Sequence, residues 1–509
     1  MLGTLSLMGG GFLSALTPIN ILAIIAGTTI GIVIGCLPGL SAAMGVALLL
    51  PMTFSMGAST GLIILGAIYC GAIFGGSISA ILIHTPGTPA SAATAIEGYQ
   101  MTLQGKAGKA LGTACIASFF GGLLSCISLY FFAPILAQLA MKFGSPEYFW
   151  LSIFGLTIIA GVSSKSMVKG LISGALGLLL STIGMDPMEG VQRFMFGQSS
   201  LYEGINVTCA LIGLFSMSQA LILAEKKICA RGTAKKFKDR MLLDKEEMKQ
   251  IAPTIGRSWI IGNLIGILPG AGASIACFLG YNTSRQFSRH KEEFGHGSIE
   301  GVAGSEAANN AVTGGSLIPM LTLAVPGDAV TAIILSVFYV HGLQPGPMFI
   351  RKNPEAFHAI LVAGIIACFA LLLLGLLVAP HISRVITIPK NVMIPVVTSL
   401  CVIGSFSCNN RLFDVGLMFF FGLMGFMMRR FDYPVAPLIL AMVLGQMMDS
   451  NFRQAVSLAS SSDNPFMAMF GHPITIVLSI CTLFVLLGNI PWTKPYIDKV
   501  KGIFSRKTA

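Results

Sequence analysis

The chain has 509 residues, of which 54% are hydrophobic and only 10% charged, with a mean hydropathy of +0.80 and a formal net charge of +11. Soluble globular domains carry about 25% charged residues, so this composition excludes that class and indicates an all-α polytopic membrane protein. The basic excess does not point to nucleic acid, because no basic stripe carries interleaved aromatics; in so apolar a chain Lys and Arg act as topology signals.

A bilayer core of about 30 Å takes about 20 apolar residues per helix. Segments of that kind fall at 12–34, 61–83, 111–140, 146–163, 167–184, 203–224, 256–280, 310–340, 356–380, 391–428, 433–448 and 470–490. Because several are interrupted, about ten to thirteen membrane elements are expected. The apolar N-terminus has no basic n-region, which argues against a cleaved signal peptide. No charged residue occurs before Glu97, so the first elements give no sidedness signal.

The first interruption is "GCLPGLSA", Gly35 to Ala42, in which Pro38, Gly39 and Leu40 stop a helix and Ser41 is placed to cap the next. The second is "ILIHTPGTPASAATAIEGY", Ile81 to Tyr99. There the helix before Thr85 stops ahead of Pro86, Gly87 permits a turn, Thr88 stands as N-cap and Pro89 as first residue of a new helix, while His84 beside the break is a candidate donor to a carboxylate or a structural histidine. Basic pairs Lys106/Lys109, Lys165/Lys169 and Lys226/Lys227 follow, each separated from the next by two apolar segments. All three pairs can therefore be cytoplasmic.

The composition shifts at Glu225 to Gln250, a solvated basic stretch placed in the cytoplasm together with the tail residues Lys494, Lys499, Lys501, Arg506 and Lys507. It divides the chain into a first half at 1–224, a linker at 225–256 and a second half at 257–509. Arg257 then precedes, and Arg285, Arg289 and Lys291 follow, one apolar segment whose middle reads "GILPGAGAS", Gly266 to Ser274. A re-entrant hairpin turning at Pro269 and Gly270, followed by Ala271 and Gly272 with Ser274 as the cap, keeps both basic clusters on one side; the alternative is a kinked spanning helix with one cluster outside. Further on, "IEGVAGSEAANNAVTGGS" offers Asn309, Asn310, Thr313 and Ser316 as hard oxygen and amide groups, and "AVPGDAVTAIIL" interrupts a last segment at Pro326, Gly327 and Asp328.

These interruptions form two matched pairs. "GCLPGLSA" resembles "GILPGAGA", and "GGSISAILIHTPGTPASAATAI" resembles "GGSLIPMLTLAVPGDAVTAIIL", in the same order in both halves. Broken segments at corresponding positions of two repeats, here expected to be inverted, point to the substrate site of a secondary transporter, where helix N-termini at membrane depth favour carboxylates. Asp328, at a break, suits a coupling cation, sodium or a proton, with Thr313 and Ser316 beside it. The competing interpretation is that Gly and Pro only kink helices or let them pack closely.

Elsewhere the chemistry is sparse. The eleven cysteines, with Cys36, Cys115 and Cys481 in apolar runs, form no disulfide framework. Asp186, Glu189, Arg411, Asp414 and Asp449 are expected at interfaces or in solvent, and Trp150, Trp259 and Trp492 as interface anchors. "HKEEFGH", His290 to His296, has the wrong order for a zinc site, and no nucleophile elbow, Walker lysine loop or dinucleotide fingerprint occurs, so no enzyme and no cofactor is expected.

At "GCLPGLSAAMGVALLLPMTFSM" (Gly35 to Met56), "AIYCGAIFGGSISAILIHTPGTPASAATAIEGYQMTLQGKAGKALG" (Ala67 to Gly112) and the run from "GILPGAGASIACFLGYNTSRQFS" to "VPGDAVTAIIL", the sequence resembles the large membrane subunit, TctA type, of bacterial tripartite tricarboxylate transporters. It departs from the family pattern at His84 and Gln100. The resemblance implies a bacterial inner-membrane permease working with a small four-helix membrane subunit and a periplasmic solute-binding protein. It further implies uptake of carboxylates coupled to a sodium or proton gradient by an elevator-type carrier whose mobile domain holds the breaks. The matching positions are Pro38 to Ser41, Thr85 to Pro89, Pro269 to Gly272 with Ser274, and Pro326 to Asp328. A channel that works without a binding protein is the alternative expectation.

Overall fold

A computed structural model describes residues 11–37, 40–162, 166–186, 188–225, 239–270, 272–382 and 390–489. Pro38, Gly39, Lys165, Lys226, Lys227, Ala271, Trp492 and the basic tail from Lys494 lie outside the described residues. The chain is helical almost throughout. In order the helices are α1 (Pro18–Cys36), α2 (Ala42–Leu49), α3 (Ala58–Ile83), α4 (Thr94–Leu103), α5 (Ala107–Ala140), α6 (Ser145–Val162) and α7 (Met167–Ser181). A two-stranded hairpin, β1 (Gly184–Met185) with β2 (Gln192–Arg193), precedes α8 (Val207–Glu225), which contains a π-type turn at Ile212–Met217. Then come α9 (Lys245–Ile267), α10 (Gly272–Phe287), α11 (Ile299–Gly315), α12 (Leu317–Leu323), α13 (Ala329–Val340), α14 (Pro354–Ile382), α15 (Lys390–Asn409), α16 (Leu412–Arg430), α17 (Val435–Ser460) and α18 (Pro473–Asn489).

Among the described residues seven helices, α1, α3, α5, α8, α14, α16 and α17, are long and apolar enough to cross a membrane by length and composition. Shorter apolar helices include α2, α7 and α13. Apolar side chains stand outward on α5 (Phe131, Ile135), α14 (Phe369, Leu373, Leu377) and α16 (Phe420, Leu423), as lipid-facing surfaces do. α3 is the opposite case, with 89% of its apolar window buried.

The chain forms two compact units, one of Met1–Met141 with Thr208–Phe426 and one of Lys142–Val207 with Met427–Ala509. In the first, α1 packs along α3 and α9 along α11, while α11 is also enclosed by α5 and α10. Every residue of α11 is buried, although its sequence is rich in Gly, Ala, Ser and Asn and poor in large apolar groups. Small side chains explain this, because they let neighbouring backbones approach closely and replace apolar burial with interhelical contact. In the second unit α17 packs on α6 and α7, and α18 on α6.

α9 begins at a capping box in which Asp244 accepts from the Glu247 N–H and Glu247 from the Asp244 N–H, so the charged stretch from Lys245 is already helix. α9 and α10 fold back on each other, and the Arg257 guanidinium lies 5.4 Å from the Phe287 ring centre. The residues that flank "GILPGAGAS" are thereby brought side by side.

Candidate functional site

The breaks at Pro86-Gly87 and Pro326-Gly327 follow helices closed by the same backbone device. α3 ends with His84 in the left-handed region at φ 53°, and the N–H groups of His84 and Thr85 both donate to the Ser79 carbonyl. α12 ends with Ala324 at φ 57°, and the N–H groups of Ala324 and Val325 both donate to the Pro319 carbonyl. Such caps are usually glycine, so a histidine and an alanine there hold strain that the surrounding packing must impose.

Beyond each cap the chain passes close to the end of an earlier helix. A Cβ on Gly87 would run into the Gly35 carbonyl at the end of α1, and one on Gly327 into the Gly266 carbonyl at the end of α9. Only glycine fits either approach. Each "PG" of a second break is thus seated against the first break of its own half, and the Gly270 N–H donates to the Gly327 carbonyl at 2.6 Å.

The caps that follow differ. Ser41 caps α2 through its hydroxyl, which accepts from the Met44 N–H at 3.2 Å. Asp328 caps α13 in a capping box with Thr331, and its other carboxylate oxygen accepts from the Tyr69 hydroxyl of α3 at 2.6 Å. Ser316 Oγ lies 3.5 Å from the same hydroxyl. Thr88 occupies the N-cap position, but the new helix there is only a 3-10 turn, Pro89–Ser91, with α4 starting at Thr94. Pro89 thus opens a helix of a single turn, and the expectation that Thr88 caps it is corrected: the Thr88 side chain makes no cap, and its buried hydroxyl has no partner among the described residues. Ser274 is likewise not a cap, since α10 starts at Gly272, whose φ of +63° already turns the chain. Asn263 on α9, one turn before the first break of its half, has a buried Oδ1 with no partner among the described residues.

His84, Thr85 and Pro89 are exposed, and the His84 ring sits 4.6 Å from that of Tyr99. Asn309 donates to the Ala90 carbonyl at 3.0 Å, so α11 reaches the first-half break as α3 reaches the second through Tyr69. Thr313 turns back to its own helix, donating to the Asn310 carbonyl.

A second cluster went unread in the sequence. Glu306 of α11 is fully buried, with Oε1 accepting from Ser77 of α3 at 2.5 Å, from Thr94 of α4 and from Asn309 at 3.3 Å, and Oε2 from Ser118 of α5 at 3.0 Å. Asn310 in turn donates to Ser118 Oγ at 2.8 Å. Among the described residues no cation pairs with Glu306. Its signal in the sequence is a lone acid in "VAGSEAANNAV", beside the amides Asn309 and Asn310.

In the second unit Asp186 is buried, not solvated. Its carboxylate accepts from the Met188 N–H and pairs with Arg193 at 2.5 Å and Arg453 at 2.9 Å, while Asp449 pairs with both arginines. The Met188 N–H first, and then the two guanidiniums, hold Asp186 below the ordinary carboxylate range. Asp414 is also buried, accepting from Asn409. A cavity of about 250 Å³ adjoins the Asp186–Arg193–Asp449 group, lined also by Tyr202, Glu203 and Gln446.

The profile of the family described as "Tripartite tricarboxylate transporter TctA family" matches residues 21–440, which include all four breaks. The chain belongs to that family. As a TctA family member it is a component of a tripartite tricarboxylate transporter, a multi-pass membrane protein of a transporter family rather than an enzyme family. It is 38% identical over 501 residues, 98% of this chain and 99% of the relative, to an uncharacterized 52.8 kDa protein in the TAR-I ttuC' 3' region of Agrobacterium vitis. It is 35% identical over 233 residues, 45% of this chain and 95% of the relative, to an uncharacterized protein in the TAR-II ttuC' 3' region of the same organism. No solved structure matches this TctA family chain.

Proposed function

We propose that this protein is the permease subunit of a binding-protein-dependent secondary carrier that imports carboxylates of the tricarboxylate and dicarboxylate class, driven by a sodium or proton gradient. It sits in a bacterial inner membrane with its central basic stretch and C-terminus in the cytoplasm. It works with a small four-helix membrane subunit and a periplasmic solute-binding protein. The observation that carries the proposal is the pairing of two Pro-Gly breaks in one compact unit, a buried Thr88 hydroxyl without a partner among the described residues at one and the Asp328 carboxylate at the other.

A free hydroxyl donates to a carboxylate, and backbone N–H groups at a helix start favour the same charge. Asp328, an acid inside an apolar unit without a cationic partner among the described residues, suits a coupling cation, with Ser316 beside it and Thr313 one turn away. All four breaks fall in the same unit, as a repeat-built elevator carrier that moves its site as one body requires. The folding back of α9 on α10 supports a re-entrant hairpin with both basic clusters on one side.

The test is reconstitution of the full chain with its small subunit in liposomes, addition of the binding protein, and uptake of labelled carboxylates with and without sodium and proton gradients. Accumulation is expected only with binding protein and gradient together. Flux that ignores both overturns the carrier and favours a channel.

A further inference from the structure

We infer that Glu306, enclosed by protein in this structure, is a proton-binding site linked through Asn309 to the Thr88 break; its use as a coupling site rests on the gradient-driven carrier proposed above.

The argument starts from charge. An ionised carboxylate enclosed by protein, with no cation against it, is disfavoured unless it is neutralised or fully hydrogen-bonded. Glu306 has four side-chain donors from α3, α4, α5 and its own helix, all neutral: Ser77, Thr94, Ser118 and Asn309. They are enough to hold the anion and can be reversed to hold the acid, because a hydroxyl both donates and accepts. Among the described residues the thiols of Cys115 on α5 and Cys277 on α10 lie near enough to interact electrostatically with the carboxyl, but they bond to backbone carbonyls, Cys115 to those of Leu371 and Leu372 and Cys277 to that of Ser274. On α3 the Tyr69 hydroxyl is bound to Asp328, and on α4 the Glu97 carboxylate is taken by Tyr281 and by the N–H groups of Gly295, Gly297 and Ser298. None of these supplies positive charge.

The two carboxylate oxygens are not equivalent. Oε1 accepts from three groups and Oε2 from Ser118 alone, so Oε2 is where a proton enters with least disturbance. A proton adds to the carboxylate there and one O–H bond forms. The new carboxyl then donates to Ser118 Oγ, whose own hydroxyl turns back toward the carbonyl one turn earlier, as Ser128 already does to Leu124 in the same helix. Release reverses both changes. Donors at 2.5 to 3.3 Å already crowd the carboxylate, which suits a proton and leaves a metal ion no place of its own.

The link to the break is one amide. Asn309 Nδ2 is shared between Glu306 Oε1 at 3.3 Å and the Ala90 carbonyl at 3.0 Å, two residues beyond Thr88. Neutralising Glu306 weakens one claim on that amide and strengthens its hold on the break. Proton occupancy is thereby felt at the candidate carboxylate site.

The test is a pH titration of the full chain in lipid nanodiscs, followed by infrared difference spectroscopy of the protonated-carboxyl stretch. The expected result is a titrating band that is lost in Glu306→Gln, persists in Asp328→Asn, keeps its midpoint when potassium is exchanged for sodium, and changes frequency in the milder variant Ser118→Ala, which retains the acid. A band unchanged in Glu306→Gln overturns the site, and a band abolished by sodium at constant pH overturns the assignment to a proton. In liposomes that hold the assembled transporter, Glu306→Gln is expected to lose accumulation driven by a proton gradient. A wild type that moves no carboxylate under any gradient refutes the carrier, while the titration still decides the proton site.

Discussion

The Tyr69 hydroxyl donates to the Asp328 carboxylate at 2.6 Å across 259 positions of sequence. The bond ties α3 of the first half to the cap of α13 in the second, and fixes the one carboxylate that stands at a Pro-Gly break. Removing the donor with Tyr69→Phe leaves a buried charged oxygen unpaired, at about 1–3 kcal/mol. Thermal unfolding in detergent should register that loss, and the cation dependence of uptake should shift with it.

Asp328→Asn separates capping from charge. Asparagine caps a helix about as well as aspartate, so the variant is expected to fold and to keep its carboxylate affinity while losing its dependence on the coupling cation. Uptake kinetics at varied sodium and pH decide the matter, and unchanged cation dependence would refute the role given to Asp328.

Gly87→Ala and Gly327→Ala each drive a methyl into a backbone carbonyl, of Gly35 and Gly266 respectively. Backbone cannot turn aside as a side chain can, so each variant should cost about 1–3 kcal/mol and displace its break. Lower melting temperatures with loss of uptake are expected in both; Gly66→Ala, where a Cβ meets nothing within 4 Å, serves as the comparison.

Ala324→Gly should stabilise. An L-residue in the left-handed region costs about 1–2 kcal/mol, and glycine in its place gives back about 0.5–1 in chain entropy, for a net gain of up to about 1.5 kcal/mol. His84→Gly relieves the same strain but forfeits the ring contact with Tyr99, so its gain should be smaller. Melting curves of the two variants measure the difference.

Asp186 titrates below the ordinary carboxylate value because the Met188 N–H, Arg193 and Arg453 favour its ionised form. Its contribution to stability is therefore present above about pH 4 and vanishes as pH falls through the folded-state value. Asp186→Asn should melt below wild type at neutral pH, and the two should converge in acid. Melting temperatures across about pH 3 to pH 8 test this; a gap that stays constant contradicts it.

Much of the fold is local and therefore legible. The seven apolar helices follow from runs of hydrophobic residues, and Ser41 and Asp328 cap helices where a polar side chain follows a Pro-Gly stop. Thr88 and Ser274 followed the same logic and did not become caps. Pro89 starts only a single turn, and Gly272 opens α10 two residues before Ser274, choices made by how each loop seats against the preceding helix.

Composition and the Pro-Gly stops determined by themselves that this is a helical membrane protein with interrupted segments, because apolar content and Pro-Gly stops act within a few residues of themselves. Only the tertiary structure decided that α11, a helix too polar to read as a core, is buried along its whole length. It likewise decided that Glu306 meets Ser77, Thr94 and Ser118, and that Tyr69 reaches Asp328. Those contacts join residues more than 180 positions apart, and helix packing, set by small residues on several elements at once, carries no local signature that a sequence can display.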